Sequence, residues 1–233
     1  MVSSIFTLIA EYVLASLCVV ALFAWTTLSF RQAGGLSNSP ILSDFSPASG
    51  QVDVVVALRN ESENVDSLLS NLTKVSCVSK IVLVDDSSED DTLEKCVSWT
   101  HNPGVIAVSA GTPPSNWGGK SYACYIGASM CEHDWILFLD ADTRMDVDAV
   151  GAALGYCSKT GAEAVSVSPQ LVCPGLWDKV ATPFYSFLLN SFIKMSDVNS
   201  QSKRTSYFYG SFMMFKAESY WRIGGHAAVA TDL

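Results

Sequence analysis

The chain has 233 residues, enough for one substantial α/β domain, and 49% of them are hydrophobic, with a mean hydropathy of +0.27 that suggests part of the chain meets lipid. The net charge of -9, without any run of Lys and Arg, argues against nucleic acid as a partner, because phosphate backbones require basic stripes. The seven cysteines are scattered and never spaced C-x-x-C, which argues against a disulfide framework or a cysteine zinc site and suits a reducing compartment.

The first predicted element is an apolar helix. Tyr12 to Phe30 reads YVLASLCVVALFAWTTLSF, an uncharged run between Glu11 and Arg31 of about the length needed to cross a bilayer. It has no basic region before it and no small-x-small cleavage site after it. Residues 1–32 therefore read as a retained membrane anchor rather than a signal peptide, and Arg31 places the following domain on the cytoplasmic side. Residues 33–50, rich in Gly, Ser and Pro, read as a linker. Asn60 and Asn71 head N-x-S/T triplets of a kind that arises often by chance.

From residue 51 short apolar runs alternate with helical patterns. VDVVVAL (52–58) reads as a buried strand, and ESENVDSLLSNL places Val65 and its leucines at helical spacing. KIVLVD (80–85) is a second strand. SSEDDTLEKCVSW opens with a capping serine and acids in the first turn, as a helix start does. VIAVSA is a third strand, KSYACYIGASMC a helix of small residues, DWILFLD a fourth strand and AEAVSVSP a fifth. Such alternation predicts a parallel sheet with helices on both faces, whose ligands bind at the carboxyl ends of the strands. The loops starting near Ala57, Asp85, Ala110 and Asp140 should then share one rim.

Gly-Gly-Lys-Ser within PPSNWGGKSYA looks like the end of a phosphate-binding P-loop. The glycine such a loop needs four residues before its Gly-Lys-Ser is Pro114 here, which has no N–H to give and too little freedom to curl round a phosphate. Lys120 can still hold a phosphate as a point charge at a helix N-terminus. In FLDADT, Asp140 and Asp142 are two apart, so in extended geometry their carboxylates point the same way; a divalent cation carrying a diphosphate would satisfy both, whereas a capped turn is the structural reading. Asp85 and Asp86, in VDDSSEDDT, end another strand, where one of them can accept from a base N–H or a ribose hydroxyl; Ser87, Ser88, Asp90 and Asp91 read as helix caps. Arg59, Asn60 and Glu61 follow the first strand onto the same rim, and Glu61 could equally be a first-turn helix acid.

Taken together and in this order, VVVALRNESENVDSLLSNL, IVLVDDSSEDDT, PPSNWGGKSYA, ILFLDADT and YGSFMMFKAESYWRIGGHAAV resemble the family 2 glycosyltransferases of GT-A fold, over about Val52 to Leu233. The Pro-Pro-x-x-Trp-x-Gly-Lys segment resembles the membrane-bound branch associated with hopanoid and carotenoid glycosylation. The resemblance implies a GT-A (Rossmann-like), mostly parallel sheet over residues 51–233. It also implies that Ala57, Arg59 and Glu61 line the first nucleotide loop, that one of Asp85 and Asp86 contacts the base, and that Lys120 lies near the diphosphate. Asp140 is implied to face the ribose and Asp142 to hold Mg2+ or Mn2+. Gly224, Gly225 and His226 are implied to line the acceptor side, His226 as a positioning or a catalytic group. The family's general base is an acid shortly after that glycine loop; Asp232 lies close, but the ending HAAVATDL makes the domain read as truncated at its C-terminus, with the base expected beyond Leu233.

The implied activity is inverting transfer of a sugar from a nucleoside-diphosphate donor to a hydroxyl acceptor of lipid or isoprenoid type. Pro183 to Met195, with Phe184, Phe187, Leu188 and Phe192, could lie in a bilayer interface or form a core or subunit contact. Trp177, Tyr207 and Tyr209 could stack on sugar or lipid, or simply be buried. The rivals are an incomplete nucleotide-sugar-binding fragment and a nucleotidyltransferase; the latter usually carries a glycine-rich signature near its first strand, and VVVALRNESEN has none.

Overall fold

The structure, a computed structural model, describes residues 12–25, 27, 40–172, 175–179, 181–182, 195–200, 202 and 205–231. The chain divides into two compact units, Met1–Pro40 with Leu171–Tyr207, and Ile41–Gln170 with Phe208–Leu233. The second carries a six-stranded sheet: β1 (Val52–Leu58), β2 (Val78–Asp85), β3 (Val105–Ser109), β4 (Trp135–Leu139), β5 (Ala164–Ser166) and β6 (Phe212–Lys216). Five helices accompany it: α1 (Ser62–Leu72), α2 (Thr92–Ser98), α3 (Gly119–Ser129), α4 (Ala149–Thr160) and α5 (Ala217–Arg222).

The strand order is β3-β2-β1-β4-β6-β5. β1 pairs in parallel with β2 and β4, and β2 with β3. β6 runs antiparallel between β4 and β5, so the sheet is mixed, and the expected fifth strand sits at its edge. The Val-rich strands are apolar on both faces, as strands covered on both sides must be. Val54, Val56, Leu58, Ile81 and Leu83 pack under Leu68, Leu69 and Leu72 of α1, while Val55, Val82 and Val84 meet Ala123, Cys124 and Ala128 of α3. Each fully buried leucine of α1 contributes roughly 1.5–3 kcal/mol. At Gly127 the helix α3 comes so close to the sheet that a Cβ would fall inside contact distance of Val55 Cγ1. The fully buried Asp53 fixes β4 beside β1: its Oδ2 accepts the N–H groups of Glu132 (2.6 Å) and His133 (3.0 Å), and its Oδ1 meets His133 Nδ1 at 2.6 Å.

One expectation changes. Residues 41–50, read as part of a linker, lie along α4: Ala48 N–H donates to Gly151 O at 2.9 Å, and the Phe45 ring meets Tyr156 edge-on at 5.0 Å. The Pro and Ser there stop regular structure without preventing packing. The predicted anchor, Tyr12 to Phe30, is described at 12–25 and 27. Among the described residues no helix is long and apolar enough to cross a membrane. Residues 183–194 of the predicted interfacial segment lie outside the described residues, as does Asp232. Trp177 is 80% exposed, so it is not the buried aromatic weighed above.

Candidate active site

The parallel register brings the carboxyl ends of three strands side by side: Leu58 is level with Asp85, and Asp85 with Ser109. The Asp86 N–H donates to Leu58 O at 2.7 Å and the Ala110 N–H to Asp85 O at 2.9 Å, closing the loops onto one edge. Strand alternation then sends the two aspartates to opposite faces. Asp85 follows Leu83 toward α2, where its charge reaches Cys96; it is 4% exposed, its Oδ2 accepts the Ser88 N–H at 3.3 Å, and its Oδ1 is buried with no partner among the described residues. Asp86 follows Val84 toward α3 and lies so near that helix's first turn that a Cβ on Gly119 would come 2.5 Å from Asp86 Oδ2. Burial raises the Asp86 pKa; the Arg59 charge works against this and Asp85 adds to it.

Lys120, the second residue of α3, reaches Asp140 at the end of β4, with Nζ to Oδ1 at 2.6 Å. Burial acts to lower the Lys120 pKa, but the hydrogen bond and charge of Asp140, with Asp142 beyond it, outweigh burial and raise it. Its side chain is 66% exposed, so as a bridge the pair is worth only ~0–1 kcal/mol of stability. Burial, the largest effect, raises the pKa of Cys124, one turn along α3, to about 12. Asp142 is exposed on the turn after β4, and no hydrogen bond reaches its carboxylate among the described residues.

The loop after β1 is tied to the loop after β2. The Asn60 N–H donates to Ser88 Oγ (3.0 Å) and the Glu89 N–H to Asn60 Oδ1 (2.8 Å), with Asn60 in the left-handed region at φ 55. Glu61 precedes α1, donates its N–H to Thr92 Oγ1 (2.8 Å) and accepts from Asn64 Nδ2 (2.7 Å), so its carboxylate is engaged in the first turn of the helix. Ala57 packs on the α3 side of β1. Of the residues read as helix caps, Asp90 has a carboxylate that accepts the N–H groups of Thr92 (3.1 Å) and Ser62 (3.2 Å) and serves two helix starts at once. Hydrogen bonds, first that of the Thr92 side chain, lower the Asp90 pKa to about 2.

Gly224 (φ 90) and Gly225 (φ 52) turn the chain after α5, and a Cβ on Gly225 would lie 2.5 Å from the Tyr220 ring. The loop returns to α3, where the Gly118 N–H donates to Ala230 O at 2.7 Å. His226 stands 4.6 Å from the Phe138 ring centre, its N–H donates to Tyr220 OH (3.1 Å), and its Nδ1 meets that hydroxyl at 2.9 Å. Burial, and then the Lys120 charge, lower its pKa to about 4, and a neutral Nδ1 accepting from the Tyr220 O–H satisfies the pattern.

Lys120 and Asp140 are thus drawn together, with Asp86 against the first turn of α3 and the glycine loop beside the start of that helix, while Asp85 faces the other side of the sheet. Two residues that the sequence reading missed fasten the acidic turn to α1. Arg144 donates to the carbonyls of Ala141 and Thr143, and Asn71 Nδ2 to Met145 O at 2.8 Å. Among the described residues no three His, Cys, Asp or Glu side chains form a metal cluster.

Residues 53–224 match the family model described as Glycosyl transferase family 2. The 4,4'-diaponeurosporenoate glycosyltransferase of Staphylococcus haemolyticus is 27% identical over 187 residues, 78% of this chain and 48% of that protein. Its Staphylococcus aureus counterpart is 25% identical over 178 residues, 74% of this chain and 46% of that one. The chain therefore spans about half the length of the curated relatives it matches. Among solved structures, a mannosyltransferase from Pyrobaculum calidifontis in complex with GDP-Man and Mn2+ aligns with a TM-score of 0.60 at 22% identity, over 89% of this chain and 56% of that one. Residues 1–349 of TarS from S. aureus, in complex with UDP-GlcNAc, align with 0.54 at 14% identity, over 75% and 47%. At these identities the likeness shows the fold, a mixed α/β sheet of GT-A type.

Proposed function

The chain belongs to glycosyl transferase family 2, and from that premise we propose that it moves a sugar from a nucleoside-diphosphate donor to an oxygen of a carotenoid- or other isoprenoid-type acceptor, with inversion at the sugar. The observation that carries the reading is the Lys120–Asp140 pair at 2.6 Å, at the carboxyl end of the sheet, with the uncommitted Asp142 carboxylate two residues on. The names of the Staphylococcus relatives favour the acceptor class.

A divalent cation, Mg2+ or Mn2+, fits this turn. Two hard carboxylates lie on one turn with no third protein ligand among the described residues, a partial set that a diphosphate and water would complete. Asp142 and Asp140 would hold the ion, which would supply positive charge for the leaving diphosphate. Lys120 adds a fixed charge on the same side, and the free N–H groups of the first turn of α3 favour anions there. Asp85 Oδ1, buried without a partner among the described residues, would gain from a base or ribose donor, since a buried acceptor left unpaired costs about 1–3 kcal/mol. The acceptor oxygen attacks the anomeric carbon opposite the departing phosphate oxygen and passes its proton to a carboxylate that follows the glycine loop in this family. His226, neutral and tied to Tyr220, positions that loop and does not take the proton. An isoprenoid acceptor is met at a membrane, and the exposed apolar side chains of Leu14, Leu17, Val20 and Leu22 suit such a setting on the cytoplasmic side.

A thermal-shift screen of nucleotide sugars with and without Mn2+ tests this. One donor class should raise the melting temperature only when the metal is present, by the equivalent of about 2.7 kcal/mol at a hundredfold excess over Kd. Absence of stabilisation by every nucleotide sugar tried, with the metal supplied, contradicts the proposal.

A further inference from the structure

The guanidinium of Arg144 straddles the acidic turn. Nη1 donates to the carbonyls of Ala141 (2.9 Å) and Thr143 (2.8 Å), the residues on either side of Asp142. Nη2 donates to Asn64 O (3.3 Å) and to Ser67 Oγ, both on α1. A second stitch follows at once: Asn71 on the same helix donates to Met145 O (2.8 Å) and accepts the Met145 N–H (2.9 Å). The charges of Asp142 and Glu61 reach Arg144, yet among the described residues neither carboxylate lies within ion-pair distance of it. Its donors are given to neutral oxygens instead. A cation whose purpose was to neutralise Asp142 would bind that carboxylate; this one binds the peptide groups around it and leaves the carboxylate open.

We propose that Arg144 is a positioning residue that locks the peptide units flanking Asp142 to α1, so that the carboxylate is preset for capture of a divalent cation. The inference rests on the reading of Asp142 and Asp140 as the cation-holding pair. It needs the planar fork of an arginine, which reaches both flanking carbonyls and α1 at once, where an ammonium offers a single point.

Charge and geometry predict opposite signs, which makes the proposal testable. Arg144→Gln removes a positive charge beside a cation site, and electrostatics alone would tighten metal binding. Loss of positioning would weaken it. Mn2+ affinity is read by electron paramagnetic resonance titration in the presence of UDP or GDP, alongside the melting temperature without metal. Arg144→Gln and Arg144→Lys should both weaken Mn2+ by about tenfold or more, the usual effect of removing a group that orients a ligand, with little change in melting temperature. Ser67→Ala, which keeps the charge and deletes one anchor on α1, should weaken it in the same direction by a smaller factor. Unchanged or tighter Mn2+ binding in Arg144→Gln, or wild-type affinity in Arg144→Lys, overturns the proposal while the cation reading stands. If the unaltered chain binds no Mn2+ with either nucleotide, or Asp142→Ala binds it undiminished, the cation reading falls and takes this inference with it.

Discussion

Asp85 and Asp86 are adjacent in sequence and opposed in space. One strand step separates a carboxylate with an unpaired oxygen on the α2 side from one pressed against the first turn of α3. His226 is governed at the same scale by its burial beside Tyr220 and Phe138. Its pKa is lowered to about 4, whereas an unfolded histidine titrates near ~6.5. As pH falls through that window the unfolded chain takes up the proton first, so stability present above about 6.5 is lost toward about 4. The His226 ring resonances should stay at their neutral positions from pH 8 down to about 5.5 in an NMR titration, and a midpoint near 6.5 would show that the Tyr220 contact does not hold the ring. Much at this scale was legible in the chain. Lys120, Asp140 and Asp142 stood out because a lone lysine at a helix start and acids at the end of an apolar run are chemically conspicuous. Which of the paired aspartates faces α3 was not, because that depends on strand phase, and Arg144 was hidden because its partners are mostly peptide oxygens, which carry no side-chain signature.

At the scale of elements, α3 is the lever that delivers Lys120. Its small residues allow it to lie close on β1 and β2, and Gly127 is the tightest point, where a Cβ would also meet Val84 Cγ2 at 3.1 Å. Gly127→Ala should cost about 1–3 kcal/mol in urea unfolding through overpacking, and the displaced helix should weaken nucleotide binding as well; unchanged stability would show that the helix can move away freely. The periodicity of α1 and the apolar runs of β1 to β4 were readable because each element carries its own pattern. β6 was not, since its pairing with β4 joins Trp135 to Lys216 across a long stretch of chain and no local pattern announces an antiparallel insertion. Asp90 was legible as a cap of α2, but not its second bond to the start of α1, which depends on the two loops meeting.

For the molecule as a whole, the sheet order places β1 between β2 and β4, so the loops bearing Arg59, Asp85 and Asp140 open on one edge although they are far apart in the chain. The alternation of strand and helix foretold that edge, because parallel strands joined by helices must end together. The strap at 41–50 was not foretold; its contacts with α4 come from tertiary packing that its composition does not reveal. The central claim is that this edge grips a nucleoside diphosphate through the acidic turn and Lys120. Calorimetric titration of UDP and GDP, with and without Mn2+, tests it most directly on the unaltered chain and on Asp142→Ala and Lys120→Ala. The account predicts binding of one nucleotide that requires the metal, disappears in Asp142→Ala and falls by about tenfold or more in Lys120→Ala, the scale of one lost charge-assisted contact. Equal affinity in all three proteins, or binding indifferent to Mn2+, would contradict it.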